Sequence, residues 1–287
     1  MPDLMNHQTE TKRIAVISMV RNDDFFTPKW SDYYSRQFGS ENLFLVLDGM
    51  DQSLPAGHEE INIRKEVHKP MGRLKGDMYR ARLVSDIAKG LFEKYDVVIA
   101  CDIDEFLVCD PSSGQTLAEY LSQSFNRSSL SALGLDVGQH LEQEDEIAFS
   151  NPFLQQRSFA HVSARYTKAN VALRPVRWGS GYHRVKGKNF FIDPNLFLFH
   201  FGMVDYNHCK NKISDKELNQ RGWTQHFNRR FSLFEIIRQN IAIPGDLFFA
   251  KARKRQTLFR PLFSLNKPGM LREKPLIEIP ERFRDIV

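Results

Sequence analysis

The sequence contains few cysteines and no long apolar run. Its 287 residues include three cysteines, Cys101, Cys109 and Cys209, an odd number with no C-x-x-C pair. This usage favours a reducing compartment, so we expect no disulfides. No apolar run approaches the roughly 20 residues of a membrane-spanning helix, and residues 1–13 contain no apolar stretch of the signal-peptide type. We therefore expect a cytoplasmic protein.

The chain also lacks internal repeats, low-complexity linkers and any DNA- or RNA-binding motif. These absences argue against a repeat protein, a string of linked domains and a nucleic-acid partner. Of the residues, 41% are hydrophobic and 26% are charged, which suits one large domain, or a domain with a small appendage, with a sizeable core. We expect a single compact unit with two lobes.

Acidic residues are scarce near the carboxyl-terminal end. Residues 251–287 contain ten Lys or Arg against four Asp or Glu, so the net charge of +5 arises there and the preceding residues are close to neutral. Such a segment can be a solvated surface, a contact for nucleic acid, or a peripheral contact with an anionic membrane that carries a lipid-linked acceptor. Its apolar residues would then enter the membrane interface or pack onto the domain. They are Leu258, Phe259, Leu262, Phe263 and Leu265.

Short β-branched runs alternate with helical patterns in the first half of the chain. Thr27 and Pro28 predict the start of a helix that stops near Gly39. Apolar residues recur at helical spacing over residues 77–95, and the stretch before them, up to Gly76, is predicted to be mostly loop. The order βαβαβ predicts an α/β fold with a Rossmann-like, doubly wound, mostly parallel sheet. The three predicted strands are residues 14–20, 43–47 and 96–101.

The second half gives weaker signals. Thr116 and Glu119 have the spacing of a capping box, and residues 131–200 alternate apolar runs with Gly, Asn and Pro, which is typical of an irregular α+β lobe. Two helices are predicted around KELNQRGW and FSLFEIIRQN, ahead of the basic tail. The expected divisions are residues 1–110 and 111–209, which are two halves of one domain, and residues 210–287, which hold carboxyl-terminal helices and the tail.

The most informative stretch is DVVIACDIDEFLV, where an apolar strand ends in two acidic residues. Side chains two apart on a strand face the same way, so Asp102 and Asp104 should project together while Ile103 turns inward. Doubly wound folds bind ligands at that edge of the sheet. Two carboxylates there repel each other unless a cation is present, and a divalent ion shared with a diphosphate resolves the conflict. The alternative is a surface turn in which both aspartates are solvated.

Three segments in this order, IAVISMVRND, FLVLDGMD and DVVIACDIDEFLV, resemble the nucleotide-binding half of a GT-A glycosyltransferase, and bacterial glycosyltransferase family 2-like proteins most of all. The resemblance covers residues 12–110, and NPFLQQRSFAHVSARYTK, VRWGSGYH and LFLFHFG are similar to the same group through less specific motifs. It implies a GT-A fold and a hexosyltransferase. The donor would be a nucleoside-diphosphate sugar, expected to be UDP-linked, and the acceptor a glycan or lipid-linked molecule in cell-surface polysaccharide synthesis.

The resemblance also implies roles for individual residues. Asp104 is similar to the aspartate that binds the metal, and Asp102 to the one that touches the ribose or reaches the ion through water. Asp48 matches the acidic nucleoside contact, and Asn22 and Asp23 lie in the loop that borders the base. From the residues alone, Asp48 can equally be the first residue of an Asp-Gly turn.

Three cationic residues, Arg73, Lys75 and Arg80, flank the predicted helix start at Asp77. A diphosphate there would meet both cationic side chains and helix amides. The alternative is exposed, solvated charge.

Two histidines are candidates on the acceptor and metal sides. His183 ends WGSGYH, where two glycines permit a tight turn beside an aromatic pair that suits a sugar ring. It falls where family 2 enzymes carry an acidic residue, so it is either the base that activates the acceptor or a structural histidine. His200 follows LFLF, and GT-A enzymes often place a late histidine on the metal, so His200 is a candidate ligand for Mn²⁺ or Mg²⁺.

Four more polar residues complete the candidates. Lys168 and Arg157 are candidates for contact with phosphate or acceptor, and Asp136 and Asp205 for acid–base work. Nothing in their spacing separates them from ordinary polar surface.

Two other functions compete with sugar transfer. A phosphatase of the haloacid-dehalogenase type also ends an apolar strand in D-x-D, but on the first strand and with Thr or Val soon after the second Asp, where this chain has Glu105 and Phe106. A non-enzymatic sugar-binding or membrane-surface module would keep the aromatic loop and basic tail without needing two carboxylates at the sheet edge.

Overall fold

The computed structural model describes residues 11–55, 59–187, 190–213 and 224–287. Four strands of the amino-terminal half form a parallel sheet in the order β3-β2-β1-β4. They are β1 (Ile14–Val20), β2 (Leu43–Asp48), β3 (Asn62–Glu66) and β4 (Val97–Ala100).

Helices cover both faces of this sheet. Helix α1 (Phe26–Phe38) places Trp30 in the same apolar cluster as Ile14 and Val16 of β1. Helix α2 (Arg73–Leu91) packs against the other face, where the alternate residues of β1 belong to a second cluster. Because successive side chains of a strand point to opposite faces, one apolar strand fills two cores. The predicted α/β class, with a doubly wound, mostly parallel sheet in the amino-terminal half, is confirmed.

Several predicted boundaries in this half are wrong. The segment predicted as loop contains β3, whose polar sequence NIRKE pairs as an edge strand beside β2. Helix α2 begins at Arg73, not at Asp77. The N-terminus of α1 is capped by Asp23, whose Oδ1 accepts the Phe26 N–H at 2.7 Å, so Thr27 is not the capping residue. An acceptor side chain three residues ahead of the amide satisfies one of the unpaired donors of the first turn.

The segment from residue 131 to 200 is more regular than predicted. Strand β6 (Ser129–Gly138) is buried along its whole length and lies parallel to β9 (Ile192–Met203). The expected capping box at Thr116 and Glu119 is present on α3. Antiparallel pairings of β6 and β4 with β8 join this part to the parallel sheet, so one sheet continues past residue 110. The remaining elements here are β5 (Glu105–Cys109), α3 (Leu117–Ser122), α4 (Phe153–Gln156), β7 (Phe159–Val162) and β8 (Val171–Ala172).

The carboxyl-terminal part folds back onto the sheet. Strand β11 pairs antiparallel with β7, and Phe283 and Val287 are buried. The helix predicted around FSLFEIIRQN lies within α6, whereas KELNQRGW falls outside the described residues. The elements here are α5 (Tyr206–Ile213), α6 (Thr224–Gln239), β10 (Ile243–Pro244), α7 (Gly245–Leu258) and β11 (Leu276–Glu278).

Within the described ranges, no helix is both long and apolar enough to cross a membrane. Cys101, Cys109 and Cys209 are buried free thiols.

Candidate functional site

The two aspartates of the D-x-D segment lie in a turn between two strands. Strand β4 ends at Ala100 and β5 begins at Glu105, whose N–H donates to the Asp102 carbonyl at 3.1 Å. The expectation that both aspartates project from one continuous strand is therefore wrong. The turn nevertheless stands at the carboxyl end of β4 and keeps Ile103 buried, at 9% exposure, between two partly exposed carboxylates.

Asp102 is held between two cations. Its Oδ1 lies 3.0 Å from Arg80 NH1 on α2, and its Oδ2 accepts a hydrogen bond from Lys168 Nζ at 2.8 Å. Burial by itself raises the pKa of Asp102, but the two cations outweigh it and the pKa is lowered. Arg80 and Lys168, both candidates for phosphate contact, thus converge on one carboxylate.

Glu105 forms a buried ion pair next to Asp102 that sequence reasoning missed. The side chain of Glu105 is fully buried, and its Oε1 lies 2.5 Å from Lys168 Nζ, while its Oε2 accepts the Asp102 N–H at 3.1 Å. Burial raises the pKa of Glu105 despite the nearby lysine. The only sequence feature that could have indicated this role for Glu105 is its position directly after the D-x-D. For the buried Lys168, the sequence indicated only that a cationic side chain was present.

Asp104 faces His200, which reaches it from the neighbouring antiparallel strand. Strand β9 pairs with β5 so that His200 lies opposite Glu105, and His200 Nε2 stands 3.3 Å from Asp104 Oδ2. Asp136 of β6 occupies the other ring nitrogen, with its Oδ1 2.6 Å from Nδ1. The ring of Tyr166 stacks on the imidazole with its centroid 3.7 Å away. A carboxylate on Nδ1 fixes the orientation of the ring, so Asp136 positions His200.

The Nε2 atom of His200 also meets Arg230 of α6. Arg230 NH2 lies 2.7 Å from Nε2 and 3.8 Å from Asp104 Oδ2. Burial lowers the pKa of His200, but the carboxylates of Asp104 and Asp136 outweigh it and the net direction is upward. Burial likewise opposes ionisation of Asp104, yet His200 and Arg230 hold the pKa of Asp104 well below its usual range. Nε2 therefore stands between a carboxylate that favours a proton and a guanidinium that favours a lone pair.

The repulsion between the carboxylates is already relieved by the protein's own cations. Arg80, Lys168 and Arg230 come from three different parts of the chain and compensate Asp102 and Asp104. The sequence argument assigned this relief to a divalent ion, whereas in this structure side-chain cations provide it. In the described part of the chain, no group of three or more His, Cys, Asp or Glu is arranged to hold a metal.

Asp104 and His200 are nevertheless of the types that bind divalent ions, although Arg230 lies against His200 Nε2 in this structure. Asp104 Oδ2 and His200 Nε2 approach to 3.3 Å, as neighbouring ligands of one ion do. Gly202 faces the pair, and a Cβ there would lie 2.7 Å from Asp104 Oδ2 and 2.8 Å from His200 Cε1. Two protein ligands leave positions for diphosphate oxygens, as in many Mg²⁺ and Mn²⁺ sites.

The loop expected to border the base is tied into the fold. Asp23 Oδ2 accepts a hydrogen bond from Lys212 Nζ of α5 at 2.8 Å, and Lys212 also lowers the pKa of Asp104. This places the Asp23 loop within electrostatic reach of Asp104. Asn22, with a positive φ of 49°, exchanges two hydrogen bonds with Gln52.

The other residues predicted to bind the nucleotide have partners outside the D-x-D turn. Asp48 pairs with His68 Nδ1 at 3.0 Å. Arg73 NH1 lies 3.5 Å from Asp77, one helical turn away, and Lys75 is exposed on the first turn of α2. The contacts of these residues give no direct link to Asp102 or Asp104.

His183 lies near Asp102 and is held neutral. Burial, aided by Lys168, lowers the pKa of His183 to about 3. An imidazole with so low a pKa accepts a hydrogen bond but takes up a proton poorly, which weakens its assignment as the base. Its neighbour Tyr182 is fully buried, with the ring 5.9 Å from Lys168 Nζ.

Asp205 and Arg157 form hydrogen bonds with backbone groups that stabilise the fold. Asp205 accepts the His208 N–H at 2.8 Å, capping α5, and the Ile147 N–H at 3.0 Å. Arg157 is buried and donates to the Val204 carbonyl at 2.5 Å. Their expected roles in acid–base work and phosphate contact are not supported by these positions.

Comparisons with known proteins show limited similarity. No protein-family model and no curated protein sequence matches the chain. Among solved structures, mannose-1-phosphate geranyltransferase from Thermus thermophilus aligns over 92% of this chain and 75% of its own, with 11% identity and a TM-score of 0.31. A CMP:2-keto-3-deoxy-manno-octonic acid synthetase in complex with CTP aligns over 77% of this chain and 86% of its own, with 7% identity and a TM-score of 0.29. Similarity this low carries no functional argument, so function is inferred from the site itself.

Proposed function

We propose that the protein is a metal-dependent glycosyltransferase that transfers a sugar from a nucleoside-diphosphate sugar, expected to be UDP-linked, to a glycan or lipid-linked acceptor. The observation that carries the proposal is the Asp104–His200 pair at the carboxyl end of β4, with Asp136 orienting the imidazole. Ligands of open α/β sheets bind at that end of the strands.

The cations around the turn are already paired, so a diphosphate would bind there through a metal ion. Arg80, Lys168, Arg230 and Lys212 surround the turn, and each already compensates a carboxylate. A Mn²⁺ or Mg²⁺ ion held by Asp104 and His200 would add positive charge and offset the charge that develops on a departing nucleoside diphosphate. Under this proposal Asp102 and Lys168 contact the nucleotide, and His183, a neutral hydrogen-bond acceptor close to both, faces the acceptor.

The phosphatase alternative receives no support from the topology. The D-x-D turn follows β4, the fourth strand along the chain, whereas that chemistry places it after the first strand. Asp102, which would be the nucleophile, is paired with both Arg80 and Lys168.

The proposal predicts that UDP binding depends on a divalent ion and on Asp104 and His200. Calorimetric titration with UDP in Mn²⁺ should give clear binding to the wild type. Asp104→Ala and His200→Ala should weaken it by more than the roughly 10- to 100-fold that follows loss of a residue that only orients a ligand. Asp86→Ala is the matched control, because Asp86 is an exposed α2 carboxylate paired with Arg177.

Transfer is then assayed with a panel of nucleotide sugars and glycan acceptors, with and without chelator. Tight UDP binding by Asp104→Ala in the presence of chelator would rule out the metal site. Equal activity of wild type and His200→Ala on every donor would rule out its role.

A further inference from the structure

An exposed apolar loop follows helix α7. We call residues 258–270 the apolar loop. Leu262 and Phe263 at its tip are 92% and 89% exposed, and four other large apolar side chains share the surface. Single exposed apolar residues are ordinary, but a cluster of this size marks an interaction site. The other four are Leu258, Phe259, Leu265 and Met270.

The apolar loop is folded, so the outward direction of these side chains is fixed. Gly269 N–H donates to the carbonyl of the buried Gln256 at 2.7 Å, and Ser264 N–H donates to Pro261 at 2.9 Å. Arg260 Nε donates to the Thr257 carbonyl at 2.7 Å. Of the two interpretations left open for these apolar residues, packing onto the domain is wrong for the tip of the loop.

Two side-chain contacts attach the apolar loop to the candidate acceptor side. Asn266 Nδ2 donates to the Val185 carbonyl at 2.7 Å, and Arg184 NH1 donates to Ser264 Oγ at 3.3 Å. Arg184 directly follows His183, and Trp178 of the same segment donates through Nε1 to the Ala169 carbonyl, next to Lys168. These hydrogen bonds connect the apolar loop to the segment that contains His183. A surface bound at the loop would therefore lie near the candidate acceptor side of the site.

The charge around the apolar loop identifies its occupant. Residues 251–272 contain seven Lys or Arg and no Asp or Glu. Lys251 and Lys254 precede the apolar loop on α7 and Arg272 follows it, and all three are exposed. Apolar side chains flanked by cations match an anionic bilayer, where the apolar residues enter the interface and the cations meet headgroups. A second copy of this face would bring like charges together, which argues against self-association.

We propose that the apolar loop and its flanking cations form a peripheral docking surface for anionic lipid bilayers. Leu262 and Phe263 insert into the interface, and Lys251, Lys254 and Arg272 contact the headgroups. The contacts through Asn266 and Arg184 then hold the acceptor side of the site near the membrane.

Vesicle co-sedimentation tests this surface, with no nucleotide present so that the result is independent of the proposed transfer reaction. The vesicles are phosphatidylcholine alone, or phosphatidylcholine mixed with phosphatidylglycerol. The wild type should bind only the mixed vesicles, and added salt should weaken the binding because the headgroup contacts are screened. The double variant Leu262→Ser/Phe263→Ser should lose at least about tenfold in apparent affinity, since burial of one large apolar side chain corresponds to about that factor.

A matched control removes equally exposed apolar surface elsewhere. Ile241 and Leu247 are 93% and 75% exposed near the opposite end of α7, and Ile241→Ser/Leu247→Ser should bind as the wild type does. A second measurement does not rely on a loss of vesicle binding. Fluorescence quenching by brominated lipid should be greater for Phe263→Trp than for the wild type.

Three outcomes would overturn the proposal. They are negligible wild-type binding to both kinds of vesicle, binding of Leu262→Ser/Phe263→Ser at the wild-type level, and a wild-type dimer that this double variant converts to a monomer without any lipid binding. The last would show that the loop joins two copies of the chain. Normal UDP binding alongside any of them would leave the proposed nucleotide site intact.

Discussion

Gly202 lies where the candidate metal pair leaves no room for a side chain. A Cβ at this position would lie 1.9 Å from Arg230 NH2 and 2.7 Å from Asp104 Oδ2. Arg230 can swing away, but Asp104 and His200 are the pair itself. Gly202→Ala should therefore weaken Mn²⁺-dependent UDP binding roughly 5- to 150-fold, the equivalent of an overpacking cost of about 1–3 kcal/mol.

Titration calorimetry measures this effect, and circular dichroism checks that the fold is kept. Gly90→Ala is the control, because a Cβ on this α2 glycine meets nothing within 4 Å. Wild-type UDP affinity in Gly202→Ala would show that the pair does not hold the ion.

His183 should make the protein sensitive to mild acid. Its pKa is about 3 in the folded protein, below the value of about 6.5 in an unfolded chain. The unfolded state then binds the proton more readily, so the stability contributed by His183 is lost as pH falls below about 6.5. Between pH 7 and pH 5 the unfolding free energy should fall by roughly 2 kcal/mol less in His183→Asn than in the wild type.

Urea denaturation at the two pH values measures that difference. Arg184→Gln, which changes a neighbour that does not titrate in this range, should keep the wild-type pH dependence. Parallel pH dependence of His183→Asn and wild type would contradict a neutral imidazole whose pKa is lowered in the folded protein.

At the scale of elements, β6 is packed directly against the segment that carries Lys168. A Cβ on Gly134 would lie 2.1 Å from the Tyr166 carbonyl carbon and 2.3 Å from the Thr167 nitrogen, both backbone atoms that cannot rotate away. Gly134→Ala should therefore push this segment outward and lower the unfolding free energy by about 1–3 kcal/mol.

Chemical denaturation measures that loss. Gly76→Ala on α2 is the control, since its Cβ has open space and Ala raises helix stability by up to about 1 kcal/mol. A Gly134→Ala protein as stable as the wild type would show that the strand and the segment are not in contact.

The elements that the sequence predicted well are those whose apolar residues are buried on both faces. Strand β1 has the same bounds as its apolar run, because every residue in it is buried. Strand β3 was missed because it is an edge strand with the polar sequence NIRKE, and its position follows from pairing with β2. A local pattern carries no record of such a partner.

At the scale of the whole molecule, the end of the basic tail is part of the folded core. Phe283 is fully buried, with its ring centroid 5.2 Å from Phe197 and 5.3 Å from Phe199 of β9. Phe283→Ala should lower the unfolding free energy by about 3–5 kcal/mol, the usual cost of such a cavity. Arg284→Ala, at an exposed neighbouring position, should change it by less than about 0.5 kcal/mol.

Thermal and urea denaturation of the two variants measure this contrast. Equal stability of Phe283→Ala and Arg284→Ala would show that the tail is a solvated extension, as a count of its charges alone suggests.

The sequence by itself determined the α/β class and the place of Asp102 and Asp104 after a buried strand, because burial on both faces leaves continuous apolar runs that local inspection detects. Only the tertiary structure decided what these carboxylates meet. Lys168, His200 and Arg230 stand far from the D-x-D turn along the chain and reach it through β-sheet pairing and helix packing. Their charges relieve the repulsion that the sequence argument assigned to a divalent ion. Periodicity in the sequence indicates which face of an element is buried. It does not indicate which distant elements pair, and that pairing decides which groups share a site.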